Sequence, residues 1–560
     1  MRQQAERAET AKAIAEAKNE VISAGRDTLS IQISVFGILV TLIVAAGTYF
    51  SWRSAGTSAA EAAQAAISAA RGQIDAELER AQTARESAEA ARDKTQETAR
   101  QAGDILATMS SDSQAQIAAV PTKDPPPLPA EDQTKLAEAT AIIAKKAKAE
   151  LSAQDFRILM LAAEQKGDWA EYLQLAEGMI FLHGGNPDDL DFALFGKAFA
   201  LGQLARHSAA ALAWEDYHQR CSHADLSRLS GAFNNWGNTL SDQAMGKTGP
   251  EADSLFAEAG AKYAEAVRIK PDDHEVWYNW GIALSDQARG TTGPEAGALL
   301  AEASAKYAEA VRIKPDYHEA WNNWGNALSE QVGGKTGSEA DALFAEAGAK
   351  YAEAVRIKPD YQEAWYNWGT ALSEQAGGKT GSDADALFAE AGAKYAEATR
   401  IKPDHHEAWY NWGNALSYQA RDKTGPDADA LFAEAGAKYA EAVRIKPDDH
   451  EAFNNWGNAL LYQARGKTGP DADALFAEAD AKFALAEAVR PGSAAYDRAC
   501  VAALRGDARG AADMLRAAHK SDPTFPDCEH IACDVDFDAV RNSPEFQAAL
   551  ADIGCGADAP

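Results

Sequence analysis

The stretch 319–360, EAWNNWGNALSEQVGGKTGSEADALFAEAGAKYAEAVRIKPD, covers all but two residues of the unit from which the middle of this 560-residue chain is built. The unit recurs six times at a spacing of 44 residues, and each copy carries a Trp-Gly pair. Self-similarity at a fixed period of this size is typical of solenoids, in which each unit buries its apolar face by stacking on its neighbours. Because stacked units present a long surface and no deep pocket, the repeat predicts binding and not catalysis. The tryptophans of these pairs are Trp236, Trp280, Trp324, Trp368, Trp412 and Trp456.

The composition of the copies predicts an all-α chain. Helix formers (Ala, Glu, Lys and Leu) fill them, and strand-favouring runs are scarce. Each copy divides into a first helix around WxNWGxAL and a second helix that ends before a Pro-Asp pair, because proline cannot continue a helix. A glycine-containing turn joins the two. Thr248 with Glu251, and Thr336 with Glu339, predict a capping box at the start of the second helix.

These positions resemble the signature of the tetratricopeptide repeat (TPR) family across roughly 231–490. The resemblance implies a TPR-like α-solenoid, a superhelix of helix pairs. The family period is about 34 residues, so the additional residues here lengthen both helices near the intra-repeat turn. The bulky position that is usually Leu in the family is Trp, which predicts core packing, with a stacking surface for sugars or bases as the alternative. In the second copy the signature falls on Trp277, Trp280, Gly281, Ala283, Ala303, Tyr307, Ala310 and Pro315.

In that family the first helices line the concave face, so the resemblance implies that a partner binds there. The residues that differ between otherwise identical copies lie on these helices, one residue after the first tryptophan and one turn later. An aromatic and amide lining suits an extended peptide, whose backbone bonds to side-chain amides. A solvated groove with no single ligand is the alternative. The predicted peptide-binding residues are Asn234, Asn238, Tyr278, Asn322, Asn326, Tyr366, Tyr410, Asn414, Asn454 and Asn458.

The carboxylate clamp of the family pairs such asparagines with Lys and Arg, and this chain departs from it. Glu319 and Glu363 stand near the places of the clamp cations. Capture of an acidic C-terminus is therefore not expected. One turn further along the same helices, the varying position is acidic or aromatic: Asp242, Asp286, Glu330, Glu374, Tyr418 and Tyr462.

The charge of the chain excludes one class of partner. Its 84 acidic and 54 basic residues give a formal charge of −30. A surface of this sign repels phosphate backbones, so no nucleic-acid partner is expected. The acidity serves either as a solvated surface or as a preference for cationic protein and peptide partners.

The cysteines predict neither a disulfide framework nor a metal site. There are five, and no CxxC pair occurs. Cys528 and Cys533 are close enough in sequence to bridge in an oxidising compartment, and buried or spectator thiols are the alternative. No cofactor or metal is expected.

Residues 31–50 (IQISVFGILVTLIVAAGTYF) predict a transmembrane helix. They are 20 residues without a charge, and as a helix they would be about 30 Å long, which spans a hydrocarbon core. A cleaved signal peptide is the alternative. Lys12, Lys18 and Arg26 precede the span and only Arg53 follows closely, so the positive-inside rule places the repeats on the non-cytoplasmic side.

The remaining segments complete a predicted order. An alanine-rich heptad pattern in 54–106 predicts a helical stalk, either a coiled coil that forms a homo-oligomer or a lone solvated helix. Proline clustering predicts a stiff, extended linker over 107–130. The full order is a charged helix (1–30), the span (31–50), the stalk (54–106), the linker (107–130), divergent TPR-like repeats (131–230), six copies (231–490), a terminal TPR (494–523), and a capping helix with a tail (524–560).

Together these features predict a membrane-anchored protein–protein interaction scaffold rather than an enzyme. Two alternatives stay open at this point. One is an enzyme or regulator whose active site lies in 131–230, and the other is a structural spacer with no specific ligand.

Overall fold

The computed structural model describes residues 57–121, 125–221, 226–421, 423–521 and 525–555. Within these ranges all regular elements are helices. The chain divides into two compact units between Thr239 and Leu240. The predicted charged helix (1–30) and membrane span (31–50) lie outside the described residues, and none of the described helices is long and apolar enough to cross a bilayer.

The N-terminal unit begins with a 50-residue helix, α1 (Thr57–Leu106). Its run of Ala, Glu, Gln and Arg contains no proline to end it. The C-terminal end of α1 is not a free stalk, because Ala102 and Leu106 are buried and the helix contacts α3 (Ala130–Ile143). The heptad position Ala88, by contrast, is exposed. Oligomerisation through α1 stays a prediction.

The prediction of an extended linker over 107–130 is wrong for its described part. The segment contains a short helix, α2 (Ser111–Ala118). Its apolar side chains fold inward, so that Met109, Ile117 and Leu128 are buried. The sequence-based prediction relied on the number of prolines and gave too little weight to these apolar residues. Their burial stabilises a packed segment.

The rest of the N-terminal unit consists of helices that pack in chain order. Side-chain caps fix several of their starts, including a capping box in which Ser152 and Asp155 bond to each other's backbone. Phe195, Trp214 and Tyr217 form a buried aromatic cluster with edge-on contacts. The helices are α4 (Ala153–Gln165), α5 (Trp169–His183), α6 (Pro187–Gln203) and α7 (His207–Arg220).

Each of the six copies contains a first and a second helix, and in copies 2 to 6 the two helices pack against each other. The signature glycine determines how closely they approach. A Cβ at Gly281 would lie 2.6 Å from the ring of Tyr307, so glycine is required for this ring of the second helix to pack there. The pairs, numbered as copies 1 to 6, are Leu226–Met245 with Pro250–Ile269; His274–Arg289 with Pro294–Ile313; His318–Glu330 with Gly337–Ile357; Gln362–Gly377 with Gly381–Ile401; His406–Arg421 with Pro426–Ile445; and His450–Arg465 with Pro470–Val489.

The predicted capping boxes do not form. In copy 1 the residue that caps the second helix is Gly249, with φ 64°, and no side chain bonds to the helix start. Thr336 does occupy the cap of copy 3, but its hydroxyl makes no capping bond. An ion pair stabilises the first turn instead, since Lys247 lies 2.8 Å from Glu251.

The tryptophan ladder packs instead of offering an open stacking surface. Trp277 and Trp280 stack at 5.8 Å between ring centroids, and the Lys306 ammonium covers the Trp280 ring at 3.7 Å. The Trp277 indole donates to the carbonyl of Pro271 at 3.0 Å. The same arrangement recurs in later copies. Neighbouring side chains therefore cover the Trp280 ring, which favours the predicted packing role over a sugar- or base-binding ladder.

A C-terminal cap follows the copies. Its helices are Ala495–Leu504, Ala508–Ser521, Cys528–Cys533 and Pro544–Asp552, and its core contains Leu515, Ile531 and Phe546. This cap covers the end of the solenoid, as repeat proteins require.

The disulfide in this cap joins Cys528 to Cys555, with 5.2 Å between the Cα atoms. A bridge from Cys528 to Cys533 is not formed, because the two residues lie at opposite ends of one short helix and point to different sides. Cys533 is an exposed free thiol, whereas Cys221 and Cys500 are buried.

Candidate peptide-binding face

The first helices of the C-terminal unit carry the varying residues on one face. In copy 2 these are Tyr278, Ile282 and Asp286. A spacing of four residues places side chains on successive turns of the same helix face. Because the copies are in register, each of the three positions forms a row along the stacked helices.

A ladder of side-chain hydrogen bonds connects the first row from copy to copy. The Asn323 amide donates to the Tyr278 hydroxyl at 3.0 Å, and the Asn367 amide donates to the Asn322 oxygen at 3.1 Å. In each case a constant asparagine bonds to the varying residue of the preceding copy. The later steps are Asn411 to Tyr366 at 3.1 Å and Asn455 to Tyr410 at 2.8 Å.

The amide ladder ends at copy 6. There the Asn454 oxygen is buried and has no hydrogen-bond partner. Ala499 stands where the repeat would place the next donor asparagine, and it has no amide to give. The end of the ladder therefore coincides with the end of the 44-residue repeat.

Tyrosines of the second helices hold the second row in place. The Tyr351 hydroxyl donates to the Asn326 oxygen at 2.8 Å, and Tyr439 does the same to Asn414. Burial raises the pKa of both tyrosines above its usual value, so the phenols remain protonated donors. The sequence prediction missed these partners, although the signature tyrosine recurs in register with the asparagines.

Most of the predicted peptide-binding residues are partly accessible, and one is not. Asn322 is only 2% exposed, so the prediction that it contacts a ligand is wrong, since its amide lies inside the ladder. Tyr278 packs against Tyr317 at 4.8 Å, and burial raises its pKa to about 12. Asn234 and Asn238 are half-buried and belong to the N-terminal unit. The half-buried residues of the C-terminal unit are Tyr278, Asn326, Tyr366, Tyr410, Asn414, Asn454 and Asn458.

The third row is acidic through copy 4. Partial burial raises the pKa of Asp286, Glu330 and Glu374, although the two glutamates still reach solvent, and the carboxylate of a preceding copy raises each pKa further. Arg289 lies 2.5 Å from Asp286 and 3.9 Å from Glu330. Among the described residues no Lys, Arg or His lies within 4.0 Å of Glu374. The row thus presents more negative charge than its own cations balance.

The third row becomes aromatic in copies 5 and 6. The guanidinium of Arg421 lies 4.5 Å from the ring centroids of both Tyr418 and Tyr462. Such sandwiching fixes the arginine by cation–π attraction. The face therefore changes along its length from carboxylates to stacked aromatic and guanidinium groups.

A cleft of about 740 Å³ opens on this face between copies 3 and 4. Its walls carry Glu330, Glu374, Asn326 and Asn367, and Phe344 contributes an apolar part. It combines polar groups with an apolar surface, as side-chain-binding sites do.

One cluster of metal-type ligands occurs among the described residues. Cys500, Asp534 and Asp536 bring their ligand atoms within 4.8 Å of one another. Protein partners already satisfy the carboxylates, since Arg465 pairs with Asp536 and the Tyr496 hydroxyl donates to Asp534 at 2.8 Å. The arginine brings positive charge to the place where a cation would bind, so the cluster fits a structural network of the cap better than a metal centre.

Asp191 and His183 of the divergent segment have structural partners. Asp191 accepts a hydrogen bond from Tyr217 at 2.8 Å and pairs with Arg228. A ring nitrogen of His183 lies 2.7 Å from the carbonyl oxygen of Leu151. These contacts give both side chains a structural role in the N-terminal unit.

One known protein family matches the region of the helix pairs. The family model for the plant-specific mitochondrial import receptor subunit TOM20 matches residues 253–364 and 410–508. The match falls on the 44-residue copies and the start of the cap, and it covers less than half of the chain. The repeats are TPR-like. No curated protein matches the chain.

Several solved TPR structures are similar to part of the chain. YrrB, described as a TPR protein with an unusual peptide-binding site, is 18% identical, covers 40% of this chain and 95% of its own, and has a TM-score of 0.28. A C-terminal part of a TPR protein from Cytophaga hutchinsonii is 14% identical, covers 54% and 99%, and has a TM-score of 0.39. A thermophilic TPR protein of Thermus thermophilus is 16% identical, covers 41% and 99%, and has a TM-score of 0.28.

Proposed function

We propose that this chain is a membrane-anchored scaffold that captures an extended segment of a partner protein along the first helices of its TPR-like repeats. The observation that carries the proposal is the set of three parallel rows, because residues change there from copy to copy while the positions between them in the WxNWGxAL core stay nearly constant. A face used only for packing has no reason to vary while its surroundings stay constant. The matched family model, which describes an import receptor subunit, supports capture of a protein partner.

The partner segment is cationic in this proposal. The third row holds carboxylates whose pKa values burial raises, and Glu374 lacks a neighbouring cation among the described residues. A basic side chain on a ligand would relieve this unbalanced charge, whereas an acidic one would add to it. The absence of Lys and Arg at the clamp positions supports the same choice.

The test uses dodecapeptides selected by the full chain in detergent from a random phage-displayed library. Replacing Tyr366 and Tyr410 by Asn should weaken binding of a selected peptide by roughly 2 kcal/mol, because each substitution removes an aromatic anchor. Asparagine is the residue that copies 3 and 6 carry there, and in copy 3 it accepts the ladder bond. Isothermal calorimetry measures the loss, and the thermal melting point serves as the control for folding. If the wild-type chain enriches no peptides, the proposed function is wrong.

Residues 31–50 act as the anchor in this proposal, and the repeats lie on the non-cytoplasmic side. The Cys528–Cys555 disulfide supports that side, because disulfides persist in oxidising compartments. Binding and anchoring together would hold a partner protein close to the membrane surface.

The exposed thiol of Cys533 provides a test of both anchor and orientation. In intact cells it should react with a membrane-impermeant maleimide, and the chain should sediment with membranes. Deleting 31–50 should leave the chain soluble and its thiol protected until lysis, because the deletion removes both export and anchoring. The Cys533→Ser variant controls for labelling of other thiols. If the thiol of the full chain were protected, the repeats would lie on the cytoplasmic side, contrary to the proposal. If the deleted form still sedimented with membranes, residues 31–50 would not be the anchor.

A further inference from the structure

The first helix of copy 3 ends one turn early. It stops at Glu330 after 13 residues, whereas its counterpart in copy 4 runs for 16 residues to Gly377. In sequence the two ends differ by one residue, since copy 3 reads SEQVGGKTG and copy 4 reads SEQAGGKTG. The glycine pair alone does not end the helix, because copy 4 has the same pair and stays helical. Two features distinguish copy 3: Val332 itself, and Gly297 in copy 2 at the position of the aspartate that holds Lys379 in the next copy.

Val332 is larger than its counterparts. At this position the other copies have an alanine, and Ala376, Ala420 and Ala464 are almost completely buried. Two additional methyl groups would overpack that site. The chain instead leaves the helix after Glu330, with Gly334 at φ 78°, and Val332 ends half-buried.

The cleft lies beside the early end of this helix. In later copies Tyr418 and Tyr462 stack on Phe388 and Phe432, whereas Glu374 stands at that position in the cleft beside Phe344. Phe344 is half-buried, whereas the equivalent phenylalanines Phe388, Phe432 and Phe476 are buried. Phe344 and Val332 thus form an apolar surface inside a cleft of about 740 Å³. That volume is far larger than a metal ion and is enough for a long side chain.

The charged groups of the cleft select a cation. Glu330 and Glu374 are solvent-accessible and line it together. Lys335 and Lys379 also line the cleft, but Lys335 pairs with Glu339 and Lys379 lies 2.7 Å from Asp341. Arg289 reaches Glu330 only at 3.9 Å while it bonds to Asp286 at 2.5 Å. The two glutamates therefore remain available for an outside cation.

We propose that this cleft is the anchor pocket for one lysine or arginine side chain of the bound peptide. The inference rests on the proposed function and deepens it. The aliphatic stem would pack on Phe344 and Val332, and the cationic head would meet Glu330 and Glu374. Binding a lysine or arginine side chain needs both the carboxylates and the apolar wall. Copies 3 and 4 together supply both.

The experiment repeats the peptide selection with three variants of the full chain, in the presence of EDTA. Val332→Ala restores the residue of the other copies, and should extend the helix and close the cleft. Glu374→Gln removes the charge and keeps the shape. Glu353→Gln is the matched control, because it removes an exposed carboxylate of copy 3 that lies outside the cleft. Hydrogen exchange at residues 331–333 reports whether the helix has extended.

The wild-type chain should enrich peptides that share one Lys or Arg. The Val332→Ala chain should still enrich peptides but lose that shared residue. Glu374→Gln should weaken a selected peptide at least roughly tenfold, as expected for a charge-assisted hydrogen bond, and Glu353→Gln should leave it unchanged. If the Val332→Ala chain, with its helix extended, enriches the same basic peptides at the same affinity, the pocket is wrong while the proposed function stands. If the wild-type chain enriches none, both are wrong.

Discussion

Replacing Tyr439 by Ala should cost about 3–5 kcal/mol in the local stability of copy 5, as for other large buried aromatic residues. The ring is 1% exposed and lies so close to Gly413 that a Cβ there would be 2.7 Å away. Its hydroxyl donates to Asn414 at 2.8 Å. The substitution would thus leave a void and remove a donor at once. Hydrogen exchange of His406–Arg421 and Pro426–Ile445 would measure the loss.

Tyr418 in the same copy provides the matched control. It is 49% exposed and contacts Arg421 and Phe388 at the surface. Its replacement by Ala should cost less than about 1 kcal/mol, since only surface contacts are lost. Equal losses for the two tyrosines would contradict the assignment of faces in the repeats.

Removing the Cys528–Cys555 disulfide should cost about 3.5 kcal/mol in the stability of the C-terminal cap, by the loop-closure estimate for this length of chain. The bridge closes a separation of 27 residues around Ile531, Phe537 and Phe546 of the cap core. Cys528→Ser should therefore accelerate thermolysin cleavage within 495–555. Because repeat stability is mainly local, the exchange rates of copies 1 to 4 should not change.

Cys533→Ser controls for this second prediction, because its thiol is exposed and unpaired. It should leave the cleavage rate unchanged under oxidising conditions. If Cys533→Ser destabilised the cap as much as Cys528→Ser, the pairing would involve Cys533 instead.

The helix pairs could be predicted from sequence because six near-identical copies repeat the same signals. The Trp-Gly pair, the signature tyrosine and the Pro-Asp ends each appear in register. Features that occur once gave weaker signals. The prolines of 107–130 favoured an extended linker, so the burial of Met109 and Leu128 was not predicted. With five cysteines in the chain, the sequence did not determine which of them pairs with Cys528.

The sequence predicted which positions lie on the candidate face, but not the contacts between them. The amide ladder was missed because it needs the distance between copies, which the sequence does not contain. For that reason Asn322 was assigned to the ligand although the ladder buries it. Val332 was visible as a single departure from alanine, but its effect depends on how little space the other copies leave at that position.

The amide ladder also determines how the gene for such a chain can evolve. Each rung joins an asparagine to an acceptor 45 residues earlier, so duplication or loss of one whole 44-residue copy re-forms the same rung at the new junction. An insertion of any other length would misalign donors and acceptors. Tyrosine and asparagine both serve as the acceptor, so this residue can mutate between them without breaking the rung. The length of the binding face can thus change by whole copies, and the acceptor residue of each copy can change independently of the others.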